Sequence, residues 1–443
     1  MKIGIVGGGF MGLVLAHELS KTKVAVKVFE RESQSGGLAT YYDYGSFIWD
    51  KFYHVILPTD IHLINLAEDL GLTDVLQWRP SFTGYYVQKK FHSISNIKEF
   101  LLFPPLGIFH KMMLGFTIFY GSRINNWKKL EKISVKDWLI KVGGRKTFEK
   151  FWEPLLLAKL GENYEQVSAV FIWTYIKRLF QARGSAVNKE HMGYISGGYK
   201  TVLDKLEASL SETGSQLKTE ANIDHIAAAP QGGIYMSING VKEHFDKVIF
   251  TAPLNVLEKT TAPELFEISK ADKAVEYLGV ICLVLVTSEP LTPYYVLNIA
   301  DKKIPFTGVI GMSSLVDLEE TDNKYITYFP RYITADHEYW SRSDDELEAL
   351  FLKGVQELYP EFKSSEIISS HINKAFKVQP LQVLNYSDIV PKIQTKHPDF
   401  YVLNTSQFVN DTLNNNSVVK HIGNFMTSFE QVLKKETSPK TED

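Results

Sequence analysis

The sequence predicts an α/β fold: a Rossmann-like unit assembled from separated stretches of chain, with an α+β unit inserted between them. Three observations carry this. Residues 2–6 form a short apolar run, a glycine-rich turn follows, 10–20 have helical spacing and a second apolar run covers 24–29, which is the order and length of one βαβ unit. Two later runs, 246–250 and 399–403, are each entered from an aspartate and read as buried strands that complete the first sheet from far away in the chain. Between these pieces the character changes, with an alternating stretch at 82–91, a helical stretch rich in Trp, Phe and Lys at 100–183, and a β-rich region at 277–332.

At 443 residues the chain is about three typical domains long, enough for two substantial cores. Segments 1–80, 190–255 and 385–432 are assigned to the nucleotide unit, 81–189 and 256–384 to the inserted unit. Residues 344–358 carry Glu, Leu and Phe at helical spacing before Pro360 and predict an amphipathic helix. The polar tail, starting at Lys434 and flexible over 433–443, is expected to fray.

Forty-eight Lys and Arg stand against 51 Asp and Glu, a formal charge of −3, so nucleic acid is not an expected partner. With 44% hydrophobic and 22% charged residues the chain reads as globular, and its 13% aromatic content allows a large apolar pocket. The single cysteine, Cys282, cannot form an intramolecular disulfide, which fits a reducing, cytoplasmic setting. The apolar N-terminus contains three consecutive glycines and lacks a small-x-small cleavage site, so a removable leader is not expected.

The chemistry concentrates in Gly7-Gly8-Gly9-Phe10-Met11-Gly12, a G-x-G-x-x-G pattern set between a predicted strand and a predicted helix. Gly7 is expected to make the tight turn, Gly9 to let backbone approach a pyrophosphate at the helix N-terminus, and Gly12 to let helix and strand pack closely. Glu30, 18 residues after Gly12, ends the second strand where a carboxylate accepts hydrogen bonds from a ribose. This context predicts dinucleotide binding but does not separate NAD from FAD.

The following residues bear on that choice. Glu30, then Gly36-Gly37, then Phe47-Ile-Trp-Asp50-Lys-Phe-Tyr-His54 resemble the flavoprotein superfamily of monoamine oxidase, protoporphyrinogen oxidase, phytoene desaturase and UDP-galactopyranose mutase. Gly193-Tyr-Ile-Ser-Gly197-Gly198 is similar to the stretch that precedes a helix under the flavin unit. Residues 214–226 resemble the strand pair that meets the adenine, and residues 152–161 and 295–301 resemble a bacterial branch of FAD-dependent oxidoreductases. The resemblance implies non-covalent FAD held by Gly7, Gly9, Phe10, Met11, Gly12, Glu30, Arg31, Gly36, Gly37, Leu38, Thr40, Phe52, Ile223 and Asn404. The chain departs from the superfamily near its end, where Asn404-Thr405 replaces the usual Gly-Asp and Asn410, Asn414, Asn415 and Asn416 replace small residues.

Catalytic candidates are fewer. His54 could polarise a substrate or flavin carbonyl, or be a core histidine bonded to a carbonyl. Lys51 and Lys159 could place positive charge near the flavin, or be ordinary solvated lysines. Arg178 and Arg183 could bind a substrate carboxylate or phosphate, or be helix-surface charge. Cys282, at alternating spacing in an apolar run, reads as inert core. The scattered histidines predict no metal site, and neither a P-loop nor a Gly-x-Ser-x-Gly elbow occurs. Residues 100–120 are long and apolar but interrupted by Pro104-Pro105 and His110-Lys111, so a spanning helix is not expected. The alternatives are a buried helix pair lining the substrate cavity, or a peripheral contact with the inner face of the membrane.

The leading expectation is an FAD-dependent oxidase or desaturase that takes hydride from an apolar or ring-bearing small molecule onto flavin N5. One rival is a non-redox enzyme resembling UDP-galactopyranose mutase, with Arg178 and Arg183 clamping a diphosphate. The other is a non-catalytic flavin- or lipid-binding protein. The sequence sets no oligomeric state.

Overall fold

The computed structural model describes residues 1–22, 24–183, 191–267 and 275–437. The predicted βαβ unit forms as β1 (Lys2–Val6), α1 (Phe10–Ser20) and β2 (Ala25–Phe29). Five parallel strands make one sheet in the order Phe400–Val402, Lys247–Phe250, β1, β2, Gln216–Lys218. Both faces are covered, which is why the central strands are mostly apolar rather than alternating, while the edge strand Gln216–Lys218 exposes Gln216 and Lys218. On one face α1 and the helices Tyr199–Glu212 and Asn415–Thr437 pack over Ile3, Ile5, Val26 and Val28. On the other, the antiparallel strands Ile223–Ala228, Ile234–Ile238 and Val241–Phe245 pack over Val6, Phe29, Val248 and Phe250.

A seven-stranded mixed sheet lies beside this unit, in the order Ile367–Pro380, Tyr277–Thr287, Tyr325–Ile333, Gly308–Gly311, Val296–Ile299, Thr83–Val87, Lys90–Ser93. Val296–Ile299 runs parallel to Thr83–Val87, so two distant stretches of chain share one sheet. Along Tyr277–Thr287, Ile281, Leu283 and Leu285 face the helix Asp344–Leu358. Val280, Cys282 and Val284 face the opposite side, toward Tyr44, Trp49 and Tyr328. Asp344–Leu358 is the predicted amphipathic helix, started by a reciprocal cap between Ser343 and Glu346.

Four expectations need correction. Residues 82–91 form part of a hairpin, not one strand; it turns at Gln88 and Lys89, both at positive φ (53° and 60°). Residues 214–226 do not form a strand pair. Gln216–Lys218 edges the parallel sheet, while Ile223–Ala228 pairs with Ile234–Ile238. The final helix continues to Thr437 rather than fraying from 433. The segment 100–120 is not a buried pair of helices: Ile97–Leu102 and Ile108–Arg123 form, and much of their apolar surface faces solvent.

Candidate active site

The glycine turn is built by exclusion of side chains. A Cβ at Gly12 would lie 1.9 Å from the Gly7 carbonyl oxygen, so α1 can cross the end of β1 only with glycine there. Gly7 itself has φ +105°, the left-handed region that favours glycine. The second glycine pair docks onto the first: Gly36 N–H donates to the Gly8 carbonyl (2.8 Å) and Phe10 N–H donates to the Gly36 carbonyl (3.1 Å). Gly9 and Gly37 face one another with no side chain between them. Met11 is buried beneath the turn, and no side chain caps the N-terminus of α1.

Glu30 lies at the edge of this turn. Its carboxylate accepts Gly8 N–H (2.8 Å) and Glu32 N–H (2.9 Å). Its backbone is held by Lys218 and Ala221, two residues before Ile223, so the adenine-side segment does run beside it. Arg31, by contrast, points outward and pairs with Glu32. Leu38 is partly exposed just beyond the glycine pair. Asn404 is buried and its side chain is engaged: Nδ2 donates to the Ala252 carbonyl (2.5 Å) and Oδ1 accepts Ser406 N–H (2.9 Å). It acts on the turn through Ala252, which packs against Gly7.

From this end the strand Ile48–Asp50 and the residues after it lead inward. Lys51 N–H donates to the Thr40 carbonyl (2.9 Å) and the Lys51 carbonyl accepts Asn373 Nδ2 (2.9 Å), which fixes the segment carrying Phe52 and His54. Asp50 is buried, and its Oδ1 accepts the Tyr199 N–H (2.7 Å) at the start of the helix Tyr199–Glu212, where the helix dipole favours an anion. His54 stacks obliquely on Tyr199, 4.7 Å between ring centres, and its Nδ1 is 3.5 Å from Asp50 Oδ2. Burial forces the Tyr199 hydroxyl up from its ordinary value. Arg178 Nη2 bonds both oxygens of buried Asp60 (3.1 and 2.8 Å). Arg183 ends the helix Ala169–Arg183, and its side chain lies outside the described residues.

Thr40 Oγ1 and Arg178 Nε are buried without a hydrogen-bond partner. Buried polar atoms are normally paired, and a ligand's polar atoms can complete the pairing at these two. The nearest partner of His54 Nδ1 is the Asp50 carboxylate rather than a backbone carbonyl.

Deeper still, Tyr53 and Tyr332 share a hydroxyl–hydroxyl bond of 3.0 Å, and Lys159 Nζ lies 5.9 Å from the Tyr332 ring. Tyr175 and Tyr295 complete the group. These side chains are surrounded by protein, yet Tyr53, Tyr175 and Tyr332 are partly accessible to water and Lys159 is exposed. The group therefore lines solvent-reachable space between the segments that carry it. Burial pushes the Tyr175 hydroxyl up to about 12 and raises those of Tyr53 and Tyr332, so all three remain protonated donors. The same burial lowers Lys159 below its usual 10.5. Cys282 lies on the sheet face near this group, fully buried, with its thiol pushed up by burial.

Asp60, Tyr175, Tyr199 and Tyr332 were not assigned from the sequence, where the aromatic excess was the available signal for the three tyrosines, and Asn415 stood out only as a departure from the superfamily pattern. His17, Glu18 and Asp69 also converge, but Lys21 bonds Asp69 (2.6 Å) and His17 Nδ1 bonds Ser209 (2.8 Å), so this is a hydrogen-bonded ion-pair network.

A parallel sheet with a bare glycine turn at the start of its first helix is the frame of a dinucleotide-binding unit. The chain belongs to the family of flavin containing amine oxidoreductases, whose model matches residues 11–387. Its members bind FAD, and the bare glycine cradle and the unpartnered buried atoms fit that cofactor. The chain is 24% identical over 252 residues to zeta-carotene desaturase from Synechocystis sp., covering 51% of this chain and 50% of that one. It is 24% identical over 306 residues to protoporphyrinogen oxidase 2 from Arabidopsis thaliana, covering 58% of each. The chain thus spans about half the length of these relatives. An oxidoreductase from Methanosarcina mazei superposes with a TM-score of 0.75 at 19% identity, over 96% of this chain and 100% of that one, a likeness of fold. The α/β class expected from the sequence is borne out.

Proposed function

We propose that this enzyme oxidises a large apolar or ring-bearing small molecule, as an oxidase or desaturase that passes hydride to flavin N5. The cavity walled by Tyr53, Tyr175 and Tyr332 carries this reading, because flat aromatic walls suit a ring-bearing substrate and exclude water from it. When bound, FAD supplies the hydride acceptor. The glycine turn and Glu30 hold the adenosine diphosphate portion. The protonated tyrosine hydroxyls orient an acceptor atom on the substrate, and Lys159 Nζ can take up a proton released there, because burial favours its neutral form. Segments 1–80, 190–255 and 385–432 bind the cofactor, while 81–189 and 256–384 shape the cavity. The names of two relatives, a carotene desaturase and a protoporphyrinogen oxidase, support the same substrate class.

The mutase-like alternative asks for free guanidinium groups to clamp a diphosphate, and Nη2 of Arg178 is held by both oxygens of Asp60. The lone buried thiol fits a cytoplasmic enzyme, and among the described residues no helix is long and apolar enough to cross a membrane. Anaerobic mixing of holoenzyme with candidate substrates tests the proposal, since the visible flavin bands should bleach as substrate is oxidised. Turnover that requires chemically reduced flavin and leaves no net redox change overturns it. Purified protein without flavin bands that also takes up no FAD would remove the cofactor assignment itself.

A further inference from the structure

The helix Ile108–Arg123 is apolar on both sides. Lys111, Leu114, Thr117 and Gly121 face the protein and are buried. Ile108, Phe109, Met112, Phe116, Phe119 and Tyr120 fall on the opposite side, each between 45% and 67% exposed. At about 100° per residue they occupy one arc of about 120°. Leu101 and Leu102, 49% and 68% exposed, extend the face onto the preceding helix Ile97–Leu102. A soluble helix normally turns charged residues to solvent, so a continuous apolar arc of this size marks a docking surface. The charged residue at the heart of the segment is turned away from it: Lys111 folds back and its Nζ donates to the Leu101 carbonyl (2.6 Å), tying the two helices together.

Charge identifies the occupant. Residues 89–150 contain thirteen Lys and Arg against four Asp and Glu, a surplus of nine in a chain whose net charge is −3. Lys98 precedes the apolar face, and exposed Arg123, Lys128 and Lys129 follow it. Arg123 lies over the Phe119 ring, 5.0 Å from its centre, so charge borders the apolar arc directly. An apolar stripe rimmed by lysine and arginine is the pattern of a helix lying in a membrane interface. A second copy docked through the same face would bring two basic surpluses together.

We propose that this face seats the enzyme on an anionic lipid bilayer, with the aromatic and aliphatic side chains in the headgroup–acyl boundary and the lysines and arginines at the lipid phosphates. The helix lies in the surface without crossing it. It also packs on the helix Ala169–Arg183 at Gly121, whose added Cβ would lie 3.3 Å from Ile176. That second helix carries Tyr175 and Arg178 to the active site, so one helical layer separates the bilayer from the cavity.

Co-sedimentation of the holoenzyme with vesicles tests this independently of turnover. Vesicles of phosphatidylcholine mixed with phosphatidylglycerol should carry the enzyme down, and pure phosphatidylcholine should retain much less. Binding should weaken at about 1 M salt, where screening shrinks to about 3 Å. K128E/K129E should lower partitioning by at least about tenfold. F109S/M112S/F116S should remain in the supernatant with its flavin spectrum and melting temperature unchanged. Failure of the wild type to bind anionic vesicles overturns the proposal, as does undiminished binding by both variants. Sedimentation showing a dimer that the triple serine variant converts to monomer, without vesicle binding, assigns the face to a second copy instead and equally overturns it.

Discussion

Each carboxylate oxygen of Glu30 accepts one backbone N–H, from Gly8 and from Glu32, and each keeps a lone pair for a ribose hydroxyl. Replacing Glu30 with Ala should weaken FAD binding by about 1.5–3 kcal/mol, as expected for hydrogen bonds to a charged group, measured by flavin titration. Unchanged affinity would place the ribose elsewhere. At Lys159 the prediction concerns pH. Burial lowers its pKa from 10.5, so the neutral, proton-accepting form gains population as pH rises through that lowered value. Then kcat/KM should rise over the same range, and Lys159→Met should flatten that limb and cost about 10²–10⁴ in rate. A variant profile parallel to the wild type would exclude Lys159 as the proton acceptor. Glu30 was legible because its role follows from spacing along one βαβ unit. The buried Asp50 and its partner Tyr199 were not assigned roles, because their contact joins positions 149 residues apart and has no local pattern.

The helix Asn415–Thr437 shows how an element acts on its neighbours. Its Asn416 Oδ1 accepts His62 and Leu63 N–H (2.9 and 3.1 Å), so one helix caps another, Ile61–Asp69. This gives a structural role to one of the asparagines that looked anomalous in sequence. Further along the helix, burial holds the His421 imidazole down at about 4 from 6.5, with Lys420 adding to the shift and Asp411 opposing it. The unfolded chain therefore binds more protons between those values. Stability should be complete above pH 6.5 and fall by up to about 3 kcal/mol as pH drops toward 4, read by urea unfolding. His421→Leu should flatten that slope. Other elements hid from sequence reasoning for definite reasons. Gln88 and Lys89 turn a hairpin without the Gly or Asn that usually announces left-handed turn residues. Ile108–Arg123 is apolar all round, so periodicity alone could not say which side would meet the protein.

At the scale of the molecule, the legible part was the parallel sheet, where strands covered on both faces leave unbroken apolar runs beside the glycine turn. The tyrosine cluster was legible only as an excess of aromatics, since Tyr53, Tyr175, Tyr295 and Tyr332 come from four separate stretches and meet only after folding. FAD should stabilise the whole chain by mass action, about 2.7 kcal/mol at a hundredfold excess over Kd, seen as a rise in melting temperature on adding FAD to apoprotein. The order of the sheet also has a consequence for biosynthesis. β1 lies beside Lys247–Phe250, and Lys2 N–H bonds Asp246, 244 residues further on. The outermost strand, Phe400–Val402, and the capping helix after it leave the ribosome later still. At about 5–20 residues per second the first strand waits on the order of 10–50 s for its neighbour. During that interval its apolar edge stands open to chaperones, and the nucleotide cradle gains its full support only after the helix Asn415–Thr437 has been made.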